Sequence, residues 1–172
     1  TVAGVERSEF GAEALTVGLE CGGSDALSGV TANPMVGACA DMLVAEGATV
    51  ILSEITEMFG TEKILARRAA SPEVAEKLLR LIAGRKEKAE ELLGHFAGTA
   101  ITPGNIEGGL TTIVEKSLGC IVKGGTSAVN QVLDYAEIPT EKGLVVMDTP
   151  GSDIFSITGM AAGGAQIIVF TT

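Results

Sequence analysis

The sequence predicts an α/β domain with a mainly parallel sheet covered by helices on both faces. Three observations carry that reading. Four short apolar runs occur at 15–19, 49–52, 144–147 and 167–170, helix-patterned segments lie between them, and each run stops at glycine or polar residues. Runs that are apolar at consecutive positions, without alternation, suit strands buried on both faces. The chain has 172 residues, 46% hydrophobic and 20% charged. A domain of this size removes about 70% of its unfolded surface from water, so it can bury a core without disulfides or a structural metal.

Taken in order, residues 1–14 are short of large apolar side chains and have no usable period, which reads as a linker or the end of an upstream segment ahead of a domain at 15–172. Leu15-Thr16-Val17-Gly18-Leu19 reads as a buried strand stopped by the turn Cys21-Gly22-Gly23. Asn33-Pro34 opens a helix, because Asn can cap free N–H groups and Pro needs no hydrogen bond in the first turn. Met35, Cys39, Met42 and Leu43 are expected on its apolar face, with Gly47 closing it. Residues 49–52 form the second strand.

From 61 to 94 helix formers dominate, and Ser71-Pro72-Glu73-Val74 restarts the helix as a cap followed by proline. Leu78, Leu79, Ile82, Leu92 and Leu93 supply the apolar stripe of this helical excursion, opposite the solvated Arg85-Lys86-Glu87-Lys88. Residues 95–108 read as a loop, with His95 capping the helix end. Leu110, Ile113, Val114, Leu118 and Ile121 have helical spacing up to Lys123-Gly124-Gly125. Residues 127–135 and 156–163 are expected to be short helices, and the runs at 144–147 and 167–170 complete the sheet. The whole is a Rossmann-like three-layer arrangement.

Twelve basic against 22 acidic residues give a net charge of −10, which opposes a nucleic-acid partner. Residues 61–93 hold eight of the basic and six of the acidic residues, leaving four basic and sixteen acidic elsewhere. A site outside that segment is therefore rich in carboxylates and suits a bound cation. Three cysteines cannot all pair, and no run has the order of a secretory signal, so a reducing cytoplasm is expected. No apolar stretch reaches the length of a membrane span. Neither G-x-G-x-x-G nor a phosphate loop occurs, which excludes a nucleotide cofactor by motif. Leu- and Ala-rich helix faces offer a contact for a homo-oligomer.

In open parallel sheets, ligands bind outside the carboxyl ends of the strands. Those ends are Glu20-Cys21-Gly22-Gly23-Ser24-Asp25, Ser53-Glu54, Asp148-Thr149-Pro150-Gly151-Ser152-Asp153 and Thr171-Thr172. Cys21, beside two glycines with free N–H groups, suits a nucleophile or a soft metal ligand, whereas Cys39 and Cys120 read as core. Lys116 and Lys123 are the lysines near the glycine-rich turns and can pair with a small anion.

The run Cys21-Gly22-Gly23-Ser24-Asp25, with Ser28-Gly29 and Thr31-Ala32-Asn33-Pro34, resembles the altronate and galactarate dehydratases, with sulfolactate sulfo-lyase as a close relative. Later segments agree, among them Ile51-Leu52-Ser53-Glu54, Pro103-Gly104-Asn105, Gly108-Gly109-Leu110-Thr111-Thr112, Lys123-Gly124-Gly125-Thr126 and Met147-Asp148-Thr149-Pro150-Gly151. The resemblance implies a hydro-lyase that removes water from a small anionic sugar acid to give a 2-keto-3-deoxy product. A divalent metal, Fe2+ with Mn2+ as the alternative, is implied as cofactor. It also implies a longer protein with a small β-rich N-terminal domain or a partner small subunit, so the isolated chain is expected to fold without turning over substrate.

On this reading Asp25, Glu54 and Asp148 are the candidate catalytic carboxylates and Cys21 the candidate metal ligand. Gly22, Gly23, Ser24, Thr31, Asn33, Asn105 and Thr126 would bind substrate hydroxyls, and Lys116 and Lys123 its carboxylate. The alternatives are a carboxylate-binding or scaffolding domain without catalytic residues of its own, a large subunit of the sulfo-lyase type, and thiol chemistry at Cys21.

Overall fold

Each apolar run of the sequence forms a strand, and a fifth strand joins them. The computed structural model describes residues 4–94 and 101–171. Strands β1 (Thr16–Cys21), β2 (Thr49–Leu52), β3 (Val129–Leu133), β4 (Gly143–Met147) and β5 (Ile167–Thr171) lie in the order β3-β4-β2-β1-β5, and every neighbouring pair is parallel. The connections carry α1 (Ala32–Ala45), α2 (Glu62–Ala66), α3 (Pro72–Leu93), α4 (Pro103–Glu107), α5 (Ile113–Cys120) and α6 (Asp153–Ala162).

Alternate residues of each strand serve opposite faces. Val17, Leu19, Val50, Leu52, Leu144 and Val146 pack with Val36 and Ala40 of α1, Leu78 and Ile82 of α3 and Ile113 of α5. Ile51, Val145 and Met147 pack with Met160 of α6 on the other face. This is the three-layer α/β arrangement that the sequence predicts. Gly18 lets α6 approach closely, because a Cβ there would lie 2.6 Å from the Met160 sulfur. Ser71 caps α3 as expected, accepting from the Val74 amide at 3.3 Å. Leu78 and Ile82 below it are fully buried, each contributing roughly 2–3 kcal/mol of apolar burial.

Several expectations are corrected. Residues 127–135 contain β3, not a helix. Val129, Val132 and Leu133 are buried against the sheet, while Asn130 and Gln131 bond to Lys142 and Thr140 at its margin. Helix α1 starts at Ala32, so Asn33 lies inside its first turn instead of capping it. The buried face of α1 is Asn33, Val36, Gly37 and Ala40, whereas Met35, Cys39 and Met42 are exposed. Small residues win that face because the helix packs against the 3-10 turn Ile121–Gly124 at backbone distance.

Within the expected loop at 95–108, α4 forms behind a capping box in which Thr102 and Asn105 bond each other's backbone amides. His95 lies outside the described residues. Leu79 and Leu92 face outward from α3, and β5 is an edge strand with Ile167 48% and Phe170 46% exposed. No helix among the described residues is long and apolar enough to cross a membrane.

Candidate active site

The last two residues of β1 diverge across the sheet. Glu20 turns toward α6, where Ser156 Oγ donates to its Oε2 at 2.6 Å, and Ser53 Oγ lies 3.1 Å from the same oxygen. Cys21 turns toward α5, and its sulfur lies 3.0 Å from Ser24 Oγ. The alternation of strand side chains thus places an acid and a thiol on opposite faces of one sheet edge.

Glu54 lies two residues past the end of β2, after Ser53, and is held at φ 64, ψ 69, in the left-handed region. For a residue with a Cβ this conformation costs about 1–2 kcal/mol. Two bonds hold it there. The Glu54 amide donates to Thr149 Oγ1 at 2.6 Å, and the Cys21 amide donates to Glu54 Oε2 at 2.7 Å. Such strain in a buried acid at a sheet edge is the kind of local cost that functional sites retain.

Glu57 sits one 3-10 turn later, in Ile55–Met58. Lys116 Nζ lies 2.7 Å from its Oε1, and the Cys120 thiol donates to its Oε2 at 2.6 Å. Lys123, only 2% exposed, places Nζ 3.6 Å from Glu54 Oε2 and 3.9 Å from Glu57 Oε2. Two ammonium groups therefore face a buried cluster of carboxyls and thiols from β1, the turn after β2, and the end of α5.

Burial pushes the Glu54 carboxyl up to about 9, with Glu57 adding repulsion and Lys123 opposing it. Burial also raises Glu20, against the Ser156 and Ser53 hydrogen bonds. At Glu57 burial is overcome by Lys123, Lys116 and the Cys120 hydrogen bond, and the carboxyl lies below its ordinary value. The hydrogen bond with Cys120 is the main cause that lowers the Cys21 thiol to about 7, while the same bond and burial raise Cys120. One buried acid is thereby kept protonated near neutral pH beside another kept ionised.

A cavity of about 410 Å³ opens over this cluster, with Cys21, Glu54, Glu57, Asn105 and Lys116 among its lining. A second, of about 240 Å³, shares Ser24, Asp25 and Lys116 with it and reaches Asn33. Of the predicted site residues, Cys21, Gly22, Gly23, Ser24, Asp25, Glu54, Asn105 and Lys116 line the larger cavity. Asn105 is occupied, since its Nδ2 donates to the Ser24 carbonyl at 2.9 Å and its Oδ1 accepts from Lys116 at 3.3 Å.

Other predicted residues are placed elsewhere or held in other roles. Asp25 accepts from the Leu27 and Ser28 amides, which holds its carboxyl below the usual value. Asp148 forms a two-pronged pair with Arg85 of α3, at 2.8 Å and 2.5 Å. Thr31 donates to the Leu27 carbonyl. Thr126 binds Asp41 through both its amide and its hydroxyl. Lys123 is buried among the acids and does not line the larger cavity.

Glu57 and Cys120 join the site although the strand-end rule points to neither, and the pattern around Cys120 reads as core. The signal for Glu57 is present in the sequence. An acid inside Ile55-Thr56-Glu57-Met58-Phe59 is rarely buried without a partner, and Lys123 inside Ile121-Val122-Lys123 offers a cationic one. Cys21 Sγ, a Glu57 carboxylate oxygen and Cys120 Sγ all lie within 4.8 Å of one another and are buried, which is a donor set of metal-binding dimensions.

Residues 12–172 match the family described as D-galactarate/Altronate dehydratase, C-terminal. The chain is 42% identical to altronate dehydratase of Bacillus subtilis (strain 168), over 98% of this chain and 34% of that protein. It is 42% identical to galactarate dehydratase (L-threo-forming) of Escherichia coli (strain K12), over 97% of this chain and 32% of that protein. It is also 37% identical to the (2R)-sulfolactate sulfo-lyase subunit beta of Chromohalobacter salexigens, over 98% of this chain and 44% of that protein. The chain thus spans about a third of the length of the two dehydratases. With the match covering the sheet, the strained Glu54 turn and the thiol–carboxylate cluster, the chain belongs to the D-galactarate/altronate dehydratase C-terminal family.

Proposed function

We propose that this chain is the part of a sugar-acid dehydratase that binds the substrate carboxylate and protonates the departing hydroxyl. The observation that carries this reading is Glu54, a strained, buried acid whose carboxyl lines the larger cavity beside Lys116. Removing water from a sugar acid requires transfer of the proton α to the carboxylate to a base and protonation of the hydroxyl on the next carbon, and of these two transfers the second falls to this chain. Lys116 has three donor hydrogens, of which Glu57 and Asn105 engage two. The third is available to the substrate carboxylate, where it stabilises the negative charge that develops as the α proton leaves. Glu54, raised to about 9, holds its proton near neutral pH and delivers it to the leaving hydroxyl.

The donor set also fits a divalent cation. Cys21, Glu57 and Cys120 would hold it, and two thiolates favour iron(II) over manganese(II). When bound, such an ion supplies Lewis-acid polarisation of a substrate oxygen. The carboxylate and α proton are common to altronate, galactarate and sulfolactate, so the choice among them falls to residues around the leaving group and the far end of the substrate. A reducing compartment such as the cytoplasm agrees with a site built on free thiols.

The test is Glu54→Gln in the full-length protein, with turnover of altronate and galactarate and thermal unfolding measured together. A fall in kcat of roughly 10²–10⁴-fold with unchanged unfolding is expected. Unchanged kcat would leave this chain as a carboxylate-binding or scaffolding domain.

A further inference from the structure

From the Cys21 and Cys120 pair we infer a modification site, in which a hydroperoxide entering the larger cavity converts the two thiols into an intramolecular disulfide. The two sulfurs lie within 4.8 Å of each other on different elements, one at the end of β1 and the other at the end of α5. Rotation of both side chains about Cα–Cβ, with a small approach of the two ends, has to close that gap to the bond length of roughly 2.05 Å. Cys21 is followed by Gly22-Gly23, and Gly23 has no neighbour where a Cβ would sit, so the β1 end has room to adjust. Cys21 lines the cavity and Cys120 does not, which sets the order of events.

The Cys21 sulfur attacks the outer oxygen of the hydroperoxide and the O–O bond breaks. Cys21 becomes a sulfenic acid, and its thiol proton leaves with the alcohol, or with water when the oxidant is hydrogen peroxide. The Cys120 sulfur then attacks the Cys21 sulfur. The S–S bond forms, the S–O bond breaks, and hydroxide departs as water. Its proton comes from the Cys120 thiol, which already donates to Glu57 Oε2 at 2.6 Å, so Glu57 carries it to the leaving oxygen. Two thiols lose two electrons and one peroxide gains them. Cys39, exposed on α1, has no such partner among the described residues and serves as the internal reference.

The chemistry requires the two thiols and the cavity, and it stands whether or not a cation binds there. The full-length protein, stripped of metal by a chelator, is treated with equimolar hydrogen peroxide, blocked with an alkylating reagent after denaturation, and mapped without reduction. The expected product joins the Cys21 and Cys120 peptides, lighter by two hydrogens, with Cys39 still alkylated and the link lost on reduction. In Cys120→Ser the sulfenic acid at Cys21 persists and is trapped by dimedone, whereas in Cys21→Ser position 120 stays unoxidised. Alkylation of both thiols after peroxide, oxidation of Cys39 ahead of them, or a sulfinic acid at Cys21 without linkage would overturn the inference. Preloading with zinc, a redox-silent ion, separates this from the metal reading. Linkage at the same rate with zinc present removes the cation site and leaves the disulfide standing.

Discussion

The main-chain amide of Cys21 donates to the Glu54 carboxyl oxygen Oε2 at 2.7 Å, tying the end of β1 to the second residue after β2. The proposed proton donor is thus oriented by backbone that the parallel pairing of β1 and β2 already fixes, with Leu19 opposite Leu52. A carboxyl aimed this way keeps its geometry without a flexible partner, which suits a group that must meet a departing oxygen.

Glu54 also gives the fold a pH dependence. Its folded value, about 9, lies above its unfolded value, so between them the native state holds a proton that the unfolded state has released. Stability contributed by the protonated form is complete below the unfolded value and is lost as pH rises toward 9. The excess slope of wild type over Glu54→Gln is expected to approach ~1.4 kcal/mol per pH unit between pH 5 and 9. Urea unfolding of both proteins across that range measures it, and parallel curves would show that Glu54 ionises as an ordinary acid.

Lys116 is expected to act on binding as well as on the charge that develops in the reaction. Lys116→Gln removes the charge facing the substrate carboxylate and should raise KM by roughly 10-fold or more, as loss of a charge-assisted hydrogen bond does. Lys116→Arg should recover part of the loss. Steady-state kinetics of the full-length protein check this, and an unchanged KM in Lys116→Gln would place the carboxylate elsewhere.

Asp148 is expected to be structural. Its pairing with Arg85 ties the end of β4 to α3, and the partly exposed guanidinium limits the gain from that pair. Asp148→Asn should lower stability by ~1 kcal/mol after allowance for solvent screening while leaving kcat within about 3-fold of wild type. A 100-fold fall in kcat at unchanged stability would return Asp148 to the reaction.

Four of the five strands are legible because they are nearly unbroken apolar runs, and burial on both faces leaves such runs few other conformations. β3 is not, since Asn130 and Gln131 interrupt its apolar residues. A strand at the sheet margin tolerates them by pairing their amides with Lys142 and Thr140. The buried face of α1 departs from its apolar pattern for a related reason. Burial there is decided by how closely a neighbouring turn approaches, which favours Gly37 and Ala40 over the larger Met35 and Met42. At the site, Cys21 and Glu54 were readable from the rule that ligands meet strand ends. Glu57 is legible only as an acid in an apolar segment that needs a partner, and Cys120 sits at a helix end; what brings both to β1 is packing between distant segments.

The close approach of α1 gives a further expectation. A methyl group at Gly37 would run into the Val122 carbonyl and lie 3.2 Å from the Gly125 Cα, and backbone atoms cannot rotate away. Gly37→Ala should therefore destabilise the fold by ~1–3 kcal/mol and disturb the turn that carries Lys123. Urea unfolding measures the first effect. An unchanged midpoint would mean that the helix can retreat without cost.

The strand order sets the tempo at which this site can come into being. β1 aligns Val17 with Ile167 of β5, 150 positions later, so a central strand waits for the last one described before its second ladder closes. Pairings this distant in sequence are late events in folding. Until β5 arrives, a newly made chain presents one side of β1 as an open template, its amides and carbonyls ready for any extended segment. The interval between synthesis of β1 and docking of β5 is therefore one in which a bare strand edge can mispair.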